Sequence, residues 1–103
     1  AGYGAYTVSK SALDTMTRIL SKEEGPNGIR VNAVAPGPIR TDMLAEALDG
    51  LDSDKARAFT ASVPLRRAGE PAEIAQAVAF LVSDAASYMT GQVVYVNGGG
   101  PGG

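Results

Sequence analysis

Tyr6 and Lys10 stand four residues apart in "GAYTVSKSAL" (residues 4–13), with only small, hydroxylated or apolar residues between them. On a helix that spacing projects both residues from one face, so a phenol and an ammonium can reach the same cavity. A free tyrosine titrates near pH ~10 and is a poor base at neutrality. A lysine cation beside it favours the phenolate and brings it toward the range useful for general acid–base work. Moving a proton on or off an alcohol oxygen, while hydride leaves or arrives at its carbon, needs such a group. The spacing equally suits a solvated pair beside a packed tyrosine ring, and on spacing alone that plainer reading prevails.

Periodicity supplies the elements that must position these groups. From Tyr6 to Glu24 a helix is expected, with Val8, Ala12, Met16, Ile19 and Leu20 on one apolar side. "EGPNG" (24–28) stops it, and "IRVNAVA" (29–35) reads as a mostly buried strand ended by Pro36-Gly37. Thr41 or Asp42 can cap a short helix carrying Leu44, Ala47 and Leu48, with Gly50 just past its end. Ser53 can cap a second, through about Ala61. The stretch 63–71 is irregular. Pro71 suits the first turn of a further helix with Ile74, Ala77, Val78 and Leu81 as its apolar stripe. A turn around Ser87 to Gly91 leads to the strand "QVVYV" (92–96), and a flexible glycine-rich tail is expected over 98–103.

Two strands separated by a helical crossover normally lie parallel, and the crossover is right-handed. Parallel sheets need cover on both faces, and two strands are too few to stand alone. The order helix, strand, short helices, helix, strand therefore predicts an α/β fold: the C-terminal part of a doubly wound, parallel-sheet, Rossmann-like domain spanning residues 1–97.

Composition narrows the function classes. The chain has 103 residues, a net charge of -2 with both signs interspersed, and neither cysteine nor histidine. No basic field exists to attract nucleic acid or an anionic membrane. Disulfides and thiolate metal sites are excluded, and the commonest zinc ligand is missing, so no metal site is expected. The longest strongly apolar run, "IAQAVAFLV" (74–82), is too short to span a bilayer. With no signal-peptide pattern at the start, a cytoplasmic setting is expected.

Three stretches change the balance for Tyr6 and Lys10. "YTVSKSAL" resembles the Tyr-x-x-x-Lys active-site helix of the short-chain dehydrogenase/reductase family. "GPNGIRVNAVAPGPIRTDM" (25–43) is similar to that family's next strand and its Pro-Gly-x-Ile-x-Thr loop over the nicotinamide. "RRAGEPAEIAQAVAFLVSDAASYMTGQVVYVNGG" (66–99) resembles its last helix and last strand. The resemblance implies an NAD- or NADP-dependent oxidoreductase interconverting a secondary alcohol and a ketone on a small-molecule substrate. It implies Tyr6 as catalytic acid/base, and Lys10 as the group that binds the nicotinamide ribose and lowers the tyrosine pKa. Pro36, Gly37 and Ile39 would line the nicotinamide side of the cleft, with the Ile39 backbone at the carboxamide and Thr41 near the pyrophosphate. Residues 40–62 would form a lid over substrate. A homodimer or homotetramer is implied as well, and the overall look leans toward the 3-oxoacyl-carrier-protein-reductase-like branch.

Plainer roles stand beside these. Pro36-Gly37 ends a strand, and Thr41 caps a helix whose free N–H groups can also meet a phosphate. The loop lies at the carboxyl end of a strand, where open α/β sheets place their ligands. Arg66 and Arg67 read as a solvated loop pair, and Tyr3 and Tyr88 as packing or cleft-edge residues. Asp42, Glu46, Asp49, Asp52 and Asp54 read as a solvated lid face rather than a metal site. Asn97 stands where many members carry aspartate.

Other parts of the family pattern are not found in these residues: the Thr-Gly-x-x-x-Gly-x-Gly turn for the cofactor pyrophosphate, the residue that tells NAD from NADP, the catalytic serine and the active-site asparagine. The chain is therefore expected to be a fragment covering a little under half of an ordinary member, and to be inactive alone. The rival expectations are a non-catalytic self-association module and a dinucleotide-binding regulator on the same fold.

Overall fold

A computed structural model describes residues 3–40, 46, 49–50 and 53–100. Its helices are α1 (Tyr3–Glu24), α2 (Ser53–Ala61) and α3 (Pro71–Val82), and its strands β1 (Ala33–Pro36) and β2 (Val93–Val96). The chain divides into two compact units, Ala1–Ala33 with Phe80–Val94, and Val34–Ala79 with Tyr95–Gly103.

The two strands form one sheet. The Ala33 N–H donates to Gln92 O and the Gly37 N–H to Val96 O, so both strands advance four residues together and run parallel. The expected α/β class with a parallel sheet is what the structure has.

β1 begins at Ala33 rather than at Ile29. Before that point side chains join the backbone bonds, of which the Gly91 N–H to Val31 O (2.7 Å) is one. The Val31 N–H donates to Thr90 Oγ1 (3.0 Å) and the Gln92 N–H to Asn32 Oδ1 (3.2 Å), while Asn32 Nδ2 donates to Met89 O (2.9 Å). Ile29 is half exposed, so the expected buried strand is shorter than its apolar alternation suggests.

In the first unit α1 turns an unexpected side inward. Thr17 and Ser21 are buried, and Lys10, Asp14 and Glu24 on the same stripe are partly buried. The apolar stripe faces away: Val8, Met16, Ile19 and Leu20 are all exposed, and with Ala12 they line an open groove of about 660 Å³. The Gly91 turn lies against the inward side, since a Cβ at Gly91 would lie 2.7 Å from Ser21 Oγ. The two buried hydroxyls are satisfied within the helix, Thr17 by Leu13 O and Ser21 by Arg18 O, both at 2.7 Å.

Arg30 closes this unit. Its guanidinium donates to Leu81 O (2.8 Å), Met89 O (3.2 Å) and Ser83 O (3.2 Å), satisfying carbonyls at and beyond the end of α3 where a cation is also favoured by the helix dipole. Arg30→Met keeps the aliphatic stem and removes all three bonds. Urea denaturation should report a loss of about 2–3 kcal/mol, the scale of charge-assisted bonds to partly buried carbonyls. An unchanged midpoint would show that water replaces the guanidinium without cost.

In the second unit Val63 is buried, 2% exposed, and the turn after β2 packs on it. Gly98 O accepts from the Leu65 N–H (3.1 Å), and a Cβ on Gly98 would lie 2.9 Å from Val63 Cγ1. Asn97 shapes that turn, accepting from the Gly99 N–H (3.0 Å) and donating to Gly100 O (2.9 Å). Gly98 to Gly100, expected within a flexible tail, are thus hydrogen-bonded here. Gly50 N–H donates to Glu46 O, a helical turn at the place expected for the first short helix. The proposed cap residues Thr41 and Asp42 of that helix, and its Leu44, Ala47 and Leu48, lie outside the described residues.

Candidate active site

The residues singled out for chemistry fall on α1 in the first unit and on the loop after β1 in the second. Tyr6 and Lys10 both lie within α1, one helical turn apart. Lys10 is partly buried, on the stripe that also carries Asp14, Thr17 and Ser21. The side chains of Tyr6 and Tyr3 lie outside the described residues, as does Thr41. Tyr88 is fully exposed, which removes the packing role expected for it.

Pro36 is the last residue of β1, and Gly37 follows where the backbone meets β2. A Cβ at Gly37 would lie 2.7 Å from Asn97 Cβ and 2.8 Å from Asn97 Cα. Close backbone approach, rather than turn conformation, is what glycine provides here.

Ile39 forms an isolated parallel bridge with Gly69. The Gly69 N–H donates to Pro38 O (2.9 Å) and the Arg40 N–H to Gly69 O (2.6 Å). In such a bridge the flanking residues supply the bonds, and the amide groups of Ile39 itself are directed to the opposite side. A backbone edge with one N–H and one C=O matches the acceptor and donor of a primary carboxamide, so this loop fits a nicotinamide amide by its donor set.

Neighbouring residues hold the loop. Gly69 permits the approach, since a Cβ there would lie 3.0 Å from Ile39 Cδ1. Ile39, Leu65, Ile74 and Val96 wall a pocket of about 90 Å³ with Arg67 and Glu73 beside it. Arg67 and Glu73 form a bidentate pair, Nη1 to Oε1 at 2.6 Å and Nη2 to Oε2 at 2.9 Å. Glu73 Oε1 also accepts from the Glu70 N–H (2.9 Å), capping the start of α3. Arg66 has a left-handed backbone, φ 60°, and its guanidinium donates to Ala61 O and Val63 O at the end of α2. The arginines read as a solvated loop pair thus have defined partners. The i, i+6 spacing of Arg67 and Glu73 across a proline gives no helical signal from which to find them.

The hydrogen bond from Arg67, then that from the Glu70 N–H, lowers the Glu73 carboxyl from 4.5 to about 2. The folded state therefore binds fewer protons than the unfolded chain between those values. The Glu73 contribution is complete above about pH 4.5 and fades as pH falls toward about 2. The difference in denaturation midpoint between wild type and Glu73→Gln should shrink across that window. A difference constant with pH would rule out the carboxylate as its source. Solvent screens this half-exposed pair, so the effect is small.

Comparison with known proteins places the chain in a family. A family model described as enoyl-(acyl carrier protein) reductase matches residues 1–100. The chain belongs to the short-chain dehydrogenase/reductase family. Among curated members it is 53% identical over 95 residues to protein FixR of Bradyrhizobium diazoefficiens, covering 92% of this chain and 32% of that protein. It is 48% identical over 98 residues to the 3-oxoacyl-[acyl-carrier-protein] reductase FabG of Rickettsia felis, covering 95% and 39%. The crystal structure of a 3-oxoacyl-[acyl-carrier protein] reductase from Brucella melitensis superposes with a TM-score of 0.82 at 40% identity, covering 95% of this chain and 35% of that one. The chain thus spans 32% of the FixR protein and 39% of the FabG protein, less than half of either.

Proposed function

We propose that this chain forms the C-terminal portion, residues 1–97, of an NAD(P)-dependent oxidoreductase that interconverts a secondary alcohol and a ketone. The supporting observation is the placement of Tyr6 and Lys10 one turn apart on α1, in a chain that matches a reductase family model over residues 1–100. Bound nicotinamide supplies the hydride acceptor or donor. Tyr6, as phenolate, takes the hydroxyl proton in oxidation and, as phenol, gives one to the forming alkoxide in reduction. The Lys10 ammonium favours the phenolate by its charge and donates to ribose hydroxyls. Pro36, Gly37 and the Ile39 backbone edge hold the nicotinamide side, and Thr41 meets the pyrophosphate. Residues 40–62 act as a lid and carry substrate selectivity. Names of relatives favour an acyl-carrier-protein-linked 3-oxoacyl thioester as the carbonyl substrate. Among the described residues no helix is long and apolar enough to cross a membrane, in keeping with a cytoplasmic enzyme.

A second reading has its own observation. The outward apolar face of α1, with Val8, Met16, Ile19 and Leu20, suits self-association into a homodimer or homotetramer with or without catalysis.

One experiment separates the two. The full-length gene product and the 103-residue chain are each mixed with NADH or NADPH and a 3-oxoacyl thioester. Fluorescence enhancement and ketone reduction are expected from the full-length product alone. Binding of neither cofactor by the full-length product would sink the oxidoreductase reading. Turnover by the 103-residue chain would sink its assignment as an inactive portion.

A further inference from the structure

Backbone bonds to the neighbours of Ile39 determine where its amide edge faces. That direction is set by Gly69, whose N–H and C=O bind Pro38 O and the Arg40 N–H on either side of it. Gly69 in turn lies inside a short segment anchored at both ends by one carboxylate. Glu73 holds Arg67 through two bonds and the Glu70 N–H through a third. Arg67 Nη1 also reaches Ala68 O at 3.3 Å. Glu73 sits in the first turn of α3, so its own position comes from a twelve-residue helix rather than from the loop.

The pair is an odd feature if its purpose is stability. Its side chains are 51% and 39% exposed, and ion pairs that exposed contribute little to folding. What a bidentate arginine–carboxylate pair does provide is a fixed orientation.

We infer that Arg67 and Glu73 are positioning residues for the Pro38–Arg40 loop, acting through Gly69 to aim the Ile39 amide edge at the nicotinamide carboxamide. The inference rests on the reading of Ile39 as a cofactor contact. The path is helix α3, Glu73, Arg67 and the Glu70 amide, Gly69, then the backbone on both sides of Ile39. The side chain of Ile39 closes it, because Cδ1 lies against Gly69 where any larger residue would displace it.

The test uses the full-length gene product with Arg67→Met, which keeps the Glu73 bond to the Glu70 N–H and so leaves α3 capped. Arg67→Lys, with one bond in place of two, is the conservative partner. Residue-resolved hydrogen exchange follows the Arg40 amide, which donates to Gly69 O, and the Gly37 amide, which donates to Val96 O. In Arg67→Met the Arg40 amide should exchange about tenfold faster while Gly37 is unchanged, the mark of a local rather than global opening. The Kd for NADH or NADPH should rise roughly tenfold, the equivalent of one neutral amide hydrogen bond, with Arg67→Lys between it and wild type. Unaltered Arg40 exchange, or faster exchange at Arg40 and Gly37 alike, would overturn the positioning role. So would unaltered Kd in a protein that binds cofactor normally. Failure of the wild type to bind either cofactor would instead overturn the reading of Ile39.

Discussion

Tyr6→Phe in the full-length gene product should lower turnover roughly 10²–10⁴-fold, the usual contribution of a positioned general acid–base group. The substitution removes one oxygen and keeps the ring, so α1 should keep its helix and cofactor affinity should change little. The informative comparison is Lys10→Met. In the proposed mechanism the ammonium serves as a ribose donor and as the charge that favours the phenolate, so its loss should weaken cofactor binding and shift the alkaline limb of the ketone-reduction rate profile upward. Tyr6→Phe acts on turnover alone. If Tyr6→Phe retained more than about a tenth of the wild-type rate, the proton would be moving through another group, because a real acid–base role is worth more than that.

Gly37→Ala should destabilise the fold by about 2–3 kcal/mol, the upper part of the usual range for forcing atoms into occupied space. The methyl would meet Asn97 Cβ at 2.7 Å and Cα at 2.8 Å, and backbone cannot move aside as a flexible side chain can. The ends of β1 and β2 must therefore part, with loss of the Gly37 N–H bond to Val96 O. Gly4→Ala is the control. Nothing lies within 4 Å of a Cβ there, and alanine is the better helix former, so that variant should be neutral or slightly more stable. Equal midpoints for the two variants in urea would refute the crowding explanation and return Gly37 to a turn or ligand role.

Much of the fold was legible from local signals. Pro71 starts α3 where its missing N–H costs nothing, and β2 lies within one residue of its expected span. α1 ends at the Gly-Pro-Asn-Gly stretch as expected, though it begins three residues before Tyr6. What escaped depends on partners distant in sequence. Apolar periodicity marks a stripe on α1 but cannot say which side meets the rest of the unit. In this chain Thr17 and Ser21 face inward, with the Gly91 turn against Ser21. The late start of β1 also involves distant partners, since Asn32 and Thr90 supply side-chain bonds across 59 or 60 residues of chain. The family motif points to Tyr6, Lys10, Pro36, Gly37, Ile39 and Thr41 as site residues. It says nothing of Gly69, which is bonded to Pro38 and Arg40, or of the Arg67–Glu73 pair, because such bonds follow no spacing rule.

The guanidinium of Arg30 binds Met89 O, 59 residues further along. A ribosome adding about 5–20 residues per second separates the two by roughly 3–12 seconds. During that interval the Leu81, Ser83 and Met89 carbonyls that Arg30 binds have yet to be made. The bonds that close the first unit therefore form only after the last of these residues has been added, and α1 precedes its own anchor by most of the chain.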